Sequence, residues 1–512
     1  MKKFLSAHAQ KITGVLSCFD RLLFKGFLPI SHAQGMEKFF FNNHWRIKDF
    51  KVFLPRYSNL LVQHAKDVAQ KANRPYHFLQ HPVDKEDYAK AIASKDAITS
   101  GLVCVLSAVE SCSSFKITFG QNRPCLRNAR RKCLCLYFYL IDPVWGWMHV
   151  RVESWFPFHI QVCLNGHEAL ALAMQRQGLS FEKLDNAFVS LSDPGAAQRL
   201  ADELTQRDWP FILSCLARRF NPLLRTLLRG MNYYWTTQQA EYSTDILFRS
   251  RAELQPLYQK LVQHATLAFS AEDVMTFLGR KLNGHFAGQI VNDLKKRWPG
   301  VRVKHRVKEN WIKMYDKFGV VLRIETVINN PYDFKVRRKA WRKGRRVWAW
   351  CPLSKGVGYL WRYAQIAGAA NRRYLAALAI VADPAPQAAE LHNLASPVID
   401  NGRSYRGFNP ASADEARVCR ALLRGEHALQ GFRNQHIRGQ LFAPPRDPAE
   451  QRHQAASIGR LLKRLHMHGL LAKIPRTRRW RLTDKGFRLL SMIKVFHDET
   501  LPHLLQRKAD AA

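Results

Sequence analysis

AASIGRLLKRLHMHGLLAKIPRTRRWRLT, residues 455–483, reads as a helix, a stop, and a hairpin with a basic tip. Ile458, Leu461, Leu462 and Leu465 recur at i, i+3, i+4 and i+7, which lays one apolar stripe along a helix over 455–468. Arg460, Lys463 and Arg464 fall off that stripe and are expected to face outward. Gly469 is a natural helix stop. Residues 471–474 then form a strand, Pro475-Arg476-Thr477-Arg478 a turn, and 479–483 a second strand in which Trp480 and Leu482 alternate with Arg479 and Arg481. Upstream, 414–426 (DEARVCRALLRGE) puts Val418, Leu422 and Leu423 on one helical face. Gly431 opens a turn, and Asn434 is placed to cap a short helix through Leu441. Pro444, Pro445 and Pro448 mark a loop, and Asp484 begins a last helix.

The order helix, helix, helix, hairpin, helix over 414–508 resembles the winged helix-turn-helix of bacterial transcription regulators. The resemblance implies that the helix at 455–468 enters the major groove and that Arg476, Arg478 and Arg479 meet backbone or minor groove. The DNA-binding set is then Arg460, Lys463, Arg464, Arg476, Arg478, Arg479 and Arg481. A winged helix that binds only protein is the alternative, disfavoured by the basic residues gathered on helix and turn.

The whole chain supports a polyanionic partner. Its 512 residues carry 80 Lys and Arg against 40 Asp and Glu, a net charge of +40. Such an excess repels itself unless a polyanion is near, and nucleic acid is the usual one. Double-stranded DNA is the expected partner, single-stranded DNA a second, and a homodimer is allowed for. No apolar run approaches the length of a membrane-spanning helix. Lys2 and Lys3 precede an apolar stretch, but His8, Gln10 and Lys11 interrupt it, which argues against a signal peptide. The ten cysteines form no C-x-x-C pair. Cys133 and Cys135 stand two apart in an apolar run and read as buried reduced thiols. A cytoplasmic, nucleoid-associated protein is expected. Nucleotide-binding glycine motifs and internal repeats are absent.

Residues 295–346 hold 18 Lys and Arg and four carboxylates, with Trp298, Trp311, Tyr315, Tyr332, Phe334 and Trp341 interleaved. Phosphate neutralisation with base stacking calls for this mixture. Within it, WIKMYDKFGVVLRIET (311–326) predicts a hairpin whose three-residue loop Lys317-Phe318-Gly319 has Gly319 left-handed. Ile312, Met314 and Asp316 would then share a face with Val320, Leu322 and Ile324, apolar except at its end. Lys313, Tyr315, Arg323 and Glu325 would share the other. A tyrosine hydroxyl can attack a phosphodiester, two cations can stabilise the transition state, and a glutamate can hold a divalent ion. The pattern Lys313, Tyr315, Asp316, Lys317, Leu322, Arg323, Glu325 resembles the strand pair of rolling-circle replication initiators. That resemblance implies Tyr315 as nucleophile, Lys313 and Arg323 as phosphate clamps, and Glu325 as a ligand for Mg2+ or Mn2+. His466-Met467-His468 has the letters of the metal motif of such nickases. It lies on a helix, where residues two apart diverge.

A rival site lies upstream. Residues 133–141 (CLCLYFYLI) form a buried strand ending at Asp142, two more strands follow, and a helix begins near Gly166 and His167. Asp185 comes later, and then Glu241 in a segment, 232–248, that is helical or extended. This order is similar to the RNase H-like core of transposases, in which Asp142, Asp185 and Glu241 would hold two metal ions. Asp20, beside Arg21, reads as structural. The fold class expected is multidomain α+β, with a mixed sheet and antiparallel hairpins and a C-terminal winged helix-turn-helix. Its segments are an N-terminal α/β region (1–120), a central α+β region (121–290), a basic hairpin region with a helix (291–381), a linker (382–413) and the winged helix (414–508). The expected function is DNA-strand nicking or processing for a mobile element or replicon. A metal-dependent transposase and a non-catalytic regulator are the alternatives.

Overall fold

The computed structural model describes residues 1–120, 123–267, 269, 271–279, 290–296, 301–342, 344–381, 393–400, 402–427, 431–475 and 477–502. Helix and strand are mixed, and the strands build a large mixed sheet, as an α+β chain should. In chain order the strands are β1 (Ile12–Phe27), β2 (Tyr76–Phe78), β3 (Gly101–Gly120), β4 (Arg123–Asp142), β5 (Gly146–Glu153), β6 (Ile160–Asn165), β7 (Phe181–Leu184), β8 (Ala187–Leu191) and β9 (Tyr234–Phe248). There follow β10 (Ile290–Lys296), β11 (Val301–Val307), β12 (Asn310–Lys317), β13 (Val321–Ile328), β14 (Lys335–Arg342) and β15 (Arg345–Pro352). The last are β16 (Val398–Asp400), β17 (Arg403–Tyr405), β18 (Leu471–Lys473) and β19 (Trp480–Leu482).

The chain divides into two compact units, each made of segments distant in sequence. One comprises Gly14–Asp245 and Glu325–Gly368, the other Met1–Thr13, Ile246–Ile324 and Ala369–Ala512. This division does not follow the five consecutive segments expected from the sequence. The reason is non-local strand pairing, which sets β1 beside β9 across more than two hundred residues.

In the first unit the strands run in the order β13, β9, β1, β6, β5, β4, β3, β2. Neighbours from β1 through β6, β5 and β4 to β3 are antiparallel, and β2 joins β3 in parallel. The apolar run 133–141 lies in β4, where Leu136, Phe138 and Leu140 are each 1% exposed. The expected strands after Asp142 and the helix after Gly166 are present as β5, β6 and the helix Gly166–Arg176. Residues 232–248 are extended, so Glu241 sits on a strand. β-branched and aromatic residues (Thr236, Thr237, Tyr242, Thr244, Ile246) suit that state.

In the second unit β10, β11 and β12 are consecutive antiparallel strands. The loop after β12 holds Gly319 at φ +76°, as expected, and Phe318 joins it at φ +57°. A Cβ at Gly319 would also lie 2.9 Å from the Arg251 side chain. Ile312, Met314, Leu322 and Ile324 are fully buried, in keeping with their apolar face.

The C-terminal part of the second unit has helices Ala413–Leu422, Asn434–Leu441 and Pro448–Met467, the hairpin of β18 and β19, and the helix Asp484–Val495. Ile458, Leu462 and Leu465 enter a core with Leu422, Phe432, Ile437, Leu471, Leu489, Leu490 and Ile493. Three local expectations are corrected. The long helix starts at Pro448, capped by Asp447, because proline at the first helical position loses no hydrogen bond. Arg433 takes the N-cap position, where its backbone N–H donates to His436 Nδ1 at 3.3 Å, while Asn434 Nδ2 donates to the Ala455 carbonyl at 2.8 Å. The described part of 382–413 is no linker, since Leu394 and Phe408 belong to this core and β16 pairs with β17. The rest of that segment, 382–392 and 401, lies outside the described residues. Among the described residues no helix is long and apolar enough to cross a membrane.

Candidate metal centre

Asp20 interrupts an apolar strand, VLSCFDRLLF, in the middle of the first unit's sheet. Ser17 Oγ lies 2.9 Å from Thr244 Oγ1, Ser243 Oγ donates to the Cys18 carbonyl, and Thr236 Oγ1 to that of Lys25. These contacts step along β1 and β9 in opposite directions, which sets Asp20 across from Glu241. β13, on the other side of β9, supplies Glu325. One carboxylate oxygen from each of Asp20, Glu241 and Glu325 lies within 4.8 Å of the other two. Asp20 is 5% exposed and Glu325 fully buried, while Glu241 is partly open.

Several groups of the same unit fix Asp20. Asn186 Nδ2 donates to both its oxygens, at 2.8 and 3.0 Å. Asn165 Nδ2 donates to Oδ1 at 3.2 Å, while Asn165 Oδ1 caps the helix Gly166–Arg176 by accepting from His167 N. His167 is fully buried, with Nδ1 3.5 Å from Asp20 Oδ1 and Nε2 3.6 Å from Asp245 Oδ2. A Cβ at Gly166 would stand 2.2 Å from the Phe19 carbonyl oxygen, so only glycine lets this helix start so close to β1. Gln239 Nε2 donates to Glu241 Oε1 at 3.0 Å. Like charges this close favour a bound cation or shared protons. An all-oxygen set of carboxylates suits Mg2+ or Mn2+ better than a soft metal.

The sequence-predicted residues divide sharply. Glu241, from the rival triad, and Glu325, from the hairpin, converge with a residue read as structural. Asp142 does not join them: its Oδ1 accepts from Val144 N at 2.8 Å and Trp145 N at 3.1 Å, closing the turn into β5. Asp185 does not either. It is exposed, at φ +47° in the β7–β8 turn, and the next residue, Asn186, reaches the site instead. Tyr315 is only 6% exposed and Arg323 fully buried, which leaves a phosphodiester little surface to reach either. Lys313 is half-buried on β12. The sequence did carry one signal for Asp20, a lone carboxylate inside an apolar strand, which is costly unless it is engaged.

Of the expected DNA-binding set, Arg460, Lys463, Arg478 and Arg481 are exposed and Arg479 is half-buried. Arg464 is not outward-facing. Its guanidinium donates to both Glu415 oxygens, at 2.8 and 2.7 Å, and lies 4.0 Å from the Phe408 ring centroid. Arg476 lies outside the described residues. His466 and His468 contact different carbonyls, of Leu471 and Arg406, so they hold no ion together.

A second buried polar cluster lies on β3, β4 and β5. The Cys112, Cys133 and Cys135 sulfurs lie within 4.8 Å of one another. Arg151 Nη2 is 3.0 Å from Cys135 Sγ and 3.0 Å from Glu110, and Nη1 is 2.9 Å from Glu153. Hydrogen bonds from Cys133 and Cys135, with the nearby guanidinium, hold the Cys112 thiol well below its ordinary range. The guanidinium therefore fills the cationic role in this cluster. Comparison of the chain with family models, curated proteins and solved structures gives no match.

Proposed function

We propose that this protein cleaves DNA strands by divalent-metal chemistry at Asp20, Glu241 and Glu325, and grips the DNA through its C-terminal segment. The observation that carries the reading is three carboxylates on neighbouring strands, within 4.8 Å of one another, in a chain of net charge +40. A strongly cationic chain gathers phosphate, and a carboxylate cluster within it is of use chiefly to a cation that meets that phosphate. A bound divalent ion supplies a polarised phosphoryl oxygen and an activated water. Asp20, Glu241 and Glu325 would hold that ion, and hydrogen bonds from Asn186 and Asn165 fix the orientation of Asp20. The partial exposure of Glu241 provides the approach.

The C-terminal reading rests on element order. Three helices, a two-stranded hairpin and a fourth helix share one core, and Phe432, between the first two, bridges to Trp480 in the hairpin. This layout supports a winged helix that presents Arg460 and Lys463 from the long helix and Arg478 and Arg481 from the hairpin.

The test is incubation of end-labelled single- and double-stranded DNA with the full chain and Mg2+ or Mn2+. Divalent-dependent cleavage is expected, lost in Glu325→Gln and retained in Tyr315→Phe, with no protein–DNA adduct surviving denaturation. An adduct abolished by Tyr315→Phe would return the chemistry to the tyrosine. Binding without cleavage under either metal would leave a regulator.

A further inference from the structure

β14 and β15 form a two-stranded ribbon with their own regular register. Residues 335–352, KVRRKAWRKGRRVWAWCP, hold eight Lys or Arg and no carboxylate. The base of the ribbon is anchored: Val336 and Cys351 face one another and are 7% and 4% exposed, and Leu353 N donates to the Phe334 carbonyl. Beyond the base the two faces differ. Side chains alternate along a strand, so 335, 337, 339 and 341 share a face with 352, 350, 348 and 346.

On that face every rung above Lys335 and Pro352 sets a cation against an indole. Arg337 pairs with Trp350, Lys339 with Trp348, and Arg346 with Trp341. All six are exposed, the three tryptophans by 66%, 59% and 69% in that order. Lys335, Arg337 and Lys339 form a column on β14, and Trp350 and Trp348 run beside it on β15. Lys339 Nζ lies 5.9 Å from the Trp348 ring centroid. Tryptophan is rarely left this open, and three on one ribbon face point to a partner with flat, stackable groups.

We propose that this face binds single-stranded DNA, with phosphates along the β14 cation column and bases stacked on the β15 indoles. Two strand residues advance roughly 6.8 Å, about twice the 3.4 Å rise of a stacked single strand, so one indole is available for every second base. Duplex DNA fits poorly, because its bases are already stacked and paired. The choice of DNA rests on the reading of the carboxylate site, while the ribbon's binding does not depend on cleavage there.

The experiment is fluorescence anisotropy of a labelled oligo-dT with the full chain at about 0.2 M salt, where non-specific attraction to the basic surface is reduced. Trp348→Ala and Trp350→Ala are each expected to weaken binding roughly 5- to 150-fold. Replacing Lys335, Arg337 and Lys339 with glutamine is expected to flatten the salt dependence by about two units of log–log slope. All these residues are exposed, so the variants should melt like the wild type. Glu241→Gln should bind oligo-dT normally, so loss of cleavage there leaves this proposal standing. A less than twofold change in both tryptophan variants would overturn it. So would equal losses on duplex DNA, or tighter binding of an RNA oligonucleotide than of oligo-dT.

Discussion

Substituting Glu241 by glutamine should selectively weaken divalent-ion stabilisation. Glu241 is the best of the three acids to change: it is partly exposed, and a glutamine keeps an oxygen for the Gln239 amide. At Asp20, an asparagine would turn an amide toward the donors of Asn186 and Asn165. At a separation of 4.8 Å and an effective dielectric constant near 20, each pair of carboxylates repels by about 3.5 kcal/mol. Neutralising Glu241 removes two of the three pairs, and with them much of what attracts a cation. Solvent screening at a partly open residue reduces the net loss of binding energy to about 1.4–2.8 kcal/mol, a 10- to 100-fold weaker Kd. At a metal concentration of about 100 times the wild-type Kd, the wild type gains about 2.7 kcal/mol from binding. The variant at the same concentration gains about 1.4 kcal/mol or less. The assay is thermal melting across a Mg2+ or Mn2+ titration, against NaCl of matched ionic strength. The whole chain carries a net charge of +40, which disfavours non-specific binding of divalent cations elsewhere on it. A wild-type gain reproduced by NaCl, or an equal divalent gain in Glu241→Gln, would refute the reasoning.

Other outcomes follow from neighbouring features. Asp142→Asn and Asp185→Asn should leave the metal titration midpoint unchanged in the same melting assay, because one closes a turn and the other is exposed in a turn. Arg151→Met should cost about 3–5 kcal/mol in urea unfolding, because it strands the buried Glu153 without its cation; a loss under about 1 kcal/mol would contradict this. Burial lowers His8, His264 and His305 from 6.5 to about 4, and His149 and His427 to about 3. Their folded pKa values lie below the unfolded ones, so this stability is complete above about pH 6.5 and lost as pH falls toward 4. Each contributes at most about 1.4 kcal/mol per pH unit. The urea midpoint should be flat above about pH 7 and fall steeply below about pH 6; equal midpoints at about pH 7 and about pH 5 would contradict it.

The sequence alone determined what depends on local order and on totals. The charge excess, the stripe Ile458-Leu462-Leu465, the buried run in β4 and the left-handed Gly319 are set by residue type and short spacing, which fix element type and the burial of a face. It also singled out Glu241 and Glu325, but assigned them to different sites, neither of which included Asp20. Only tertiary structure decided that β1, β9 and β13 lie side by side and carry Asp20, Glu241 and Glu325 to one place. Strand pairing across hundreds of residues leaves no periodic mark on the chain. Nor does spacing reveal that Arg464 pairs with Glu415, that Asp142 closes a turn, or that Asn186 rather than Asp185 reaches the carboxylates. Those outcomes depend on which side chains meet after folding.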